Sequence, residues 1–120
     1  MGIISKEQLL SVDDLLIEEV DVPEWGGTIR VRALSGTERD AFESSCVKNN
    51  RKGNTSVDLE NIRARLCALA IVDEKGHRMF NADEAKELGK KSAVALQRIF
   101  EVATRLSGIT EEAIEELEGN

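Results

Sequence analysis

Seven consecutive apolar residues, Leu66-Cys67-Ala68-Leu69-Ala70-Ile71-Val72, constrain this chain more than any other stretch, because they offer no polar side to water. A helix that is apolar all round has to be covered on every side, so the remainder of the chain must wrap this segment. The run is also far short of the roughly 20 residues a membrane span requires. At 120 residues the chain has material for one core, which makes residues 1–120 a single domain. Aromatic residues make up only 3% (Trp25, Phe42, Phe80 and Phe100), so the core must come from Leu, Ile, Val and Ala, the composition of packed helices. Pro23 is the single proline, which leaves long stretches free to be helical.

Local signals then divide the chain. Ser5 can cap a short helix through Leu10. Residues 16–22, a turn at Pro23-Glu24-Trp25-Gly26-Gly27, and residues 28–34 read as a β-hairpin. Ile29, Val31 and Ala33 face one way; Thr28, Arg30, Arg32 and Leu34 face the solvated side. An isolated hairpin is marginal in water, so this one must lie on helices or join another sheet. Ser35-Gly36-Thr37-Glu38 is a capping box that opens a helix to about Lys48, with Ala41, Phe42 and Val47 turned inward. Residues 49–57 are almost entirely polar and read as an exposed loop. Asp58 caps a helix that carries Leu59, Ile62, Leu66 and Leu69, and Arg78-Met79-Phe80 can pair with Ile71-Val72 as a short ribbon. Asn81-Ala82-Asp83-Glu84 repeats the capping logic for a helix ending at Leu88-Gly89. Ser92 opens the longest late helix, to about Ser107 with Gly108 at its C-cap, and Thr110 caps a last one over Glu111–Glu118. The expected fold is α+β and mostly α: an N-terminal β-hairpin packed on a bundle of four to five short helices.

Charge narrows the function. The net charge is −7, and it is concentrated at the ends: the first 27 residues carry one Lys against seven acids, and the last 12 carry five Glu and no base. Nucleic acid is repelled by such a chain. A basic partner, or the more basic 28–56 stretch of a second copy, docks more easily. No basic segment followed by an apolar run opens the chain as a signal peptide would.

Chemical machinery is hard to find. His77, the only histidine, sits in a charged turn with no orienting partner in sight. Cys46 and Cys67 lie 21 residues apart, without a second pair to complete a zinc site. Both fall late in helices, the end that disfavours a thiolate. The paired carboxylates sit on caps, turns and helix surfaces, and no phosphate-binding glycine motif occurs. The expectation is no enzyme, no cofactor, no metal and two reduced cysteines.

Two features rise above this background. Trp25 sits at the hairpin tip beside two glycines, either covering the end of the core or standing out as an anchor, a role Trp often takes at interfaces. The helix from Ser92 is broadly apolar: Leu96, Phe100 and Ala103 form one stripe, and Ile99, Val102 and Leu106 form its neighbour. Such width serves either intramolecular burial or a second surface, a partner helix or another copy of the chain. Trp25, Leu96, Ile99, Phe100 and Val102 are accordingly the candidate partner contacts.

In this order the sequence resembles the tail assembly chaperones of long-tailed bacteriophages. The resemblance is carried by Val20-Asp21-Val22-Pro23-Glu24-Trp25-Gly26-Gly27, Arg30-Val31-Arg32 and Leu34-Ser35-Gly36-Thr37-Glu38-Arg39-Asp40-Ala41-Phe42-Glu43. It continues through Val72-Asp73-Glu74-Lys75-Gly76, Phe80, Leu88-Gly89, Ser92 and Leu96-Gln97-Arg98-Ile99-Phe100. It closes with Leu106-Ser107-Gly108-Ile109-Thr110 and Leu117-Glu118-Gly119-Asn120. The resemblance implies a protein that acts in the host cytoplasm while the tail is built and is missing from the finished particle. It implies binding to the tape measure protein, which it keeps soluble, and help with tail tube assembly, in many phages through a longer frameshifted form. The alternative is a structural tail or connector subunit retained in the virion.

Overall fold

The alternation over residues 17–32 places one side of a hairpin against the helices. In the computed structural model, which describes residues 2–49, 53 and 55–118, β1 (Ile17–Val22) pairs antiparallel with β2 (Gly27–Arg32). Ile17 lies opposite Arg32, and Val22 opposite Gly27. Val20, Val22 and Val31 point into the core, while Glu19 and Asp21 stay in water. A 3₁₀ turn over Pro23–Trp25 joins the strands and ends on Gly26 at φ 73°, a left-handed conformation that glycine adopts without penalty. Leu34 departs from the expected solvated side and is buried. The chain has left the strand by that point, so the pleat no longer sets its direction, and its N–H donates to Ser107 Oγ at 2.9 Å.

The apolar run splits between two element types. Its first five residues finish α3 (Ile62–Ala70), and its last two form β5 (Ile71–Val72), which adds to β2 in the sheet order β1-β2-β5. Every member except Leu69 is buried, so the segment is central as expected. The anticipated ribbon forms in outline: Val72 bridges Arg78, and the Met79 N–H donates to the Ile71 carbonyl at 3.2 Å.

The helices follow their caps. Ser35 and Glu38 complete the capping box of α2 (Gly36–Ser45), which turns Phe42 inward but leaves Ala41 and Val47 exposed. The expected loop over 49–57 is partly a second hairpin: β3 (Val47–Asn49) pairs with β4 (Thr55–Val57), Val47 facing Val57. Residues 50–52 and 54 lie outside the described residues. Asp58 does not cap α3; its carboxylate accepts from the Glu60 N–H, and Asn61 takes the N-cap position at φ 55° with no side-chain bond. A 3₁₀ turn boxed by Asn81 and Glu84 leads into α4 (Ala85–Leu88). Ser92 caps α5 (Ala93–Leu106), and Gly108 follows at φ 70°. Thr110 Oγ1 accepts from the Ala113 N–H at the start of α6 (Glu111–Glu118). At the other end, α1 (Lys6–Ser11) is closed by a full capping box between Ser5 and Gln8. The fold is α+β and mostly helical.

Candidate functional site

The groups able to do chemistry are dispersed. His77 sits on an exposed turn, its Nδ1 4.0 Å from an Asp73 carboxylate oxygen. Asp73 is occupied holding that turn: it accepts from the Lys75 and His77 N–H groups at 2.8 and 3.0 Å, and the His77 bond leads the effects that keep its pKa below the usual value. Cys46 and Cys67 are both wholly buried. Burial pushes the Cys67 thiol up to about 12 and raises that of Cys46, so neither is a ready nucleophile. Among the described residues no group of three or more His, Cys, Asp or Glu is placed to hold a metal, and no helix is long and apolar enough to cross a membrane.

The structure also shifts attention within the predicted interaction residues. α5 packs against both α3 and the β1–β2 hairpin, so its wide apolar face is used twice inside the chain. Ile99 is 0% exposed, Leu96 5% and Phe100 7%. The outer side of the Phe100 ring is closed by Arg63, whose guanidinium carbon lies 5.7 Å from the ring centroid and which also donates to Gln97. Leu96, Ile99 and Phe100 are therefore core side chains in this folded state and are removed as surface contacts. Val102 is half-buried against the same core.

Trp25 falls between its two sequence readings. It is half-buried, one side against the core, the other open to a groove of about 360 Å³ that it lines with Ile29, Met79, Phe80 and Leu88. Lys91 stands at the rim. The turn is pinned from α5: Arg98 grips Glu24 with two hydrogen bonds of 2.9 Å, and this pairing holds the Glu24 pKa down at about 2. A second ion pair, Arg105 to Glu18 at 2.6 Å, ties β1 to the same helix.

The open apolar surface lies elsewhere, on the N-terminal arm. Of the ten exposed large hydrophobic residues among those described, seven lie within residues 3–17: Ile3, Ile4, Leu9, Leu10, Val12, Leu16 and Ile17. α1 buries none of its residues. Among the described residues no hydrogen bond joins residues 2–15 to the body; the first is Ala33 N–H to the Leu16 carbonyl, at 2.8 Å. Sequence reasoning found the α1 cap but not the openness of the arm. The available signal was the placement of Ile4 before the cap and Leu9 one turn later, the positions of a hydrophobic staple, on a helix too short to bury them itself.

With this geometry in place, comparison with known proteins decides the family. The family model of phage tail assembly chaperones matches residues 15–119. The chain belongs to that family. Among solved structures, this chaperone is similar to the tail assembly chaperone of bacteriophage HK97, with a TM-score of 0.59 and 19% identity over 88% of this chain and 95% of that one. At that identity the likeness speaks for the fold. No curated protein matches. In the chaperone the matched stretch begins at Leu15, so α1 and the residues before it precede the part that the family model describes.

Proposed function

We propose that this chaperone binds the tape measure protein during tail assembly, keeps it soluble until the tube forms around it, and assists tube assembly without catalysing a reaction. The observation that carries this reading is a completed core beside uncovered apolar surface. Among the described residues twenty-two hydrophobic ones are buried, yet Leu9, Leu10 and Leu16 remain 59%, 74% and 65% exposed. A monomeric soluble protein rarely keeps such residues clustered in water without a partner for them. A long apolar-faced helical protein is such a partner, because its own stripes aggregate unless covered.

The charge of −7 supports the same role, since a coat of like-charged subunits stays dispersed. The Trp25 groove supplies a second, concave apolar surface of the kind that receives a helix side chain. Work of this sort places the chaperone in the host cytoplasm during assembly and outside the mature virion.

Co-expression with a tape measure fragment tests the proposal. The fragment is expected in the soluble fraction only when the chaperone is present; equal insolubility with and without it would refute the reading. Mass spectrometry of purified particles addresses the alternative of a retained structural subunit, because a chaperone should be missing or present in trace.

A further inference from the structure

We infer that the N-terminal arm, residues 3–14, is the element that captures the partner, and that its ligand is an apolar helix face flanked by Lys or Arg. The inference deepens the proposed function and rests on it. Three observations converge on the arm. Its helix has local instructions to form, with Ser5 Oγ accepting from the Gln8 N–H at 3.1 Å and Gln8 Oε1 accepting from the Ser5 N–H at 2.8 Å. A six-residue helix is nevertheless marginal without tertiary packing. Among the described residues its apolar side chains find no such packing, so the cover they need is taken from a partner.

Charge selects the kind of cover. Beyond the apolar residues the arm carries Glu7, Asp13 and Asp14 against Lys6 alone, and Glu18 and Glu19 follow them in sequence on β1, an edge strand of the sheet. An anionic membrane surface or a nucleic acid would be repelled by these carboxylates. A second copy is poorly matched as well. The concave apolar surface at Trp25 has Lys91 in its lining, but the surfaces adjoining it mix Arg30, Lys75 and Arg78 with Asp73, Glu74 and Glu84, so no uniformly basic flank borders it. An apolar helix with basic residues just past its stripe satisfies both halves of the arm together.

The test uses the full chain and two variants, Leu9→Ser/Leu10→Ser and Asp13→Lys/Asp14→Lys. Fluorescence anisotropy is measured with labelled 18-residue amphipathic helical peptides bearing a Leu stripe flanked by either four Lys or four Glu. The wild-type protein is expected to bind the Lys-flanked peptide at least about tenfold more tightly than the Glu-flanked one. The double Ser variant should lose about tenfold or more of that affinity, and the double Lys variant should reverse the preference. Both variants should keep the wild-type melting temperature, since neither pair touches the core. Equal binding of the two peptides, or unchanged binding by the double Ser variant, would overturn the inference. A concentration-dependent rise in mass by light scattering that the Ser variant abolishes would also overturn it, by making a second copy the occupant. The co-expression assay separates the two levels. If the double Ser variant protects the tape measure fragment as well as wild type, the arm is refuted and the function stands. If wild type gives no protection, the function fails while the peptide panel still decides the arm.

Discussion

Replacing Ile99 by Ala should destabilise this protein strongly, whereas replacing Leu10 by Ala should leave its stability almost untouched, although both residues are large aliphatics on helices. Ile99 is 0% exposed and stands between Ala95 and Ala103 on one stripe of α5, both also 0% exposed. Those two positions, one turn to either side along the helix, carry only methyl groups. Ala95 and Ala103 are too short to reach into the void left on that side of the helix. The loss then includes the transfer free energy of the removed carbons and the cavity they leave, about 3–4 kcal/mol, within the range for such truncations. For a domain of this size each kcal/mol lowers Tm by about 4 °C, giving a drop of roughly 12–16 °C. Leu10 is 74% exposed on a helix that buries nothing, so its truncation belongs with surface changes, within about 0.5 kcal/mol of zero. Circular dichroism melts of the two variants and wild type measure both values. A fall below about 4 °C for Ile99→Ala, or above about 6 °C for Leu10→Ala, would refute the assignment of α5 to the core and of α1 to open solvent.

Three further outcomes follow from particular contacts. The Glu24–Arg98 pair has a folded-state carboxylate pKa of about 2, below its ordinary value of 4.5. Its stabilising contribution is therefore full above pH 4.5 and is lost as pH falls toward 2; Glu24→Gln should flatten the stability profile in that window, as urea titrations across pH would show. Both cysteines are wholly buried, and burial raises both thiol pKa values, so a thiol reagent should label neither in the native protein at neutral pH and both on adding denaturant. Labelling of the native protein at the rate of a free thiol would contradict the packing. Gly89→Ala should lower Tm although the backbone of Gly89, the C-cap of α4, suits any residue, because an added methyl would meet Asn61 Oδ1 at 2.6 Å. The double variant with Asn61→Gly should recover most of the loss.

Much of the fold was legible because its signals are local. The Ser5, Ser35, Asn81 and Ser92 caps and the alternating strand after Gly27 each work within a few residues, and the structure places them where the sequence does. Features that depend on distant pairing were not legible. Ile71 and Val72 continue a helical apolar run in sequence, yet their backbone groups are captured by β2, some 40 residues earlier. The β3–β4 hairpin is hidden in a polar stretch, where only Val47 facing Val57 marks a pairing. Leu96, Ile99 and Phe100 illustrate the limit for the site itself. A broad apolar face announces that it must be covered, but only the placement of α3 and the hairpin reveals that the covering is internal. The same ambiguity, resolved the other way, applies to Leu9 and Leu10.

The central claim is that this chaperone finishes its own core and uses the apolar surface left over to cover another polypeptide. Hydrogen–deuterium exchange of the chaperone, free and bound to a soluble tape measure complex, tests it most directly. In the free protein the α1 amides should exchange quickly, since among the described residues no hydrogen bond ties α1 to the body and none of its residues is buried, while α3 and α5 exchange slowly. On binding, protection should rise across residues 3–16 and around the Trp25 groove and stay level in α3 and α5. Arm amides that exchange as fast in the complex as in the free protein, with new protection centred on α5, would contradict the account.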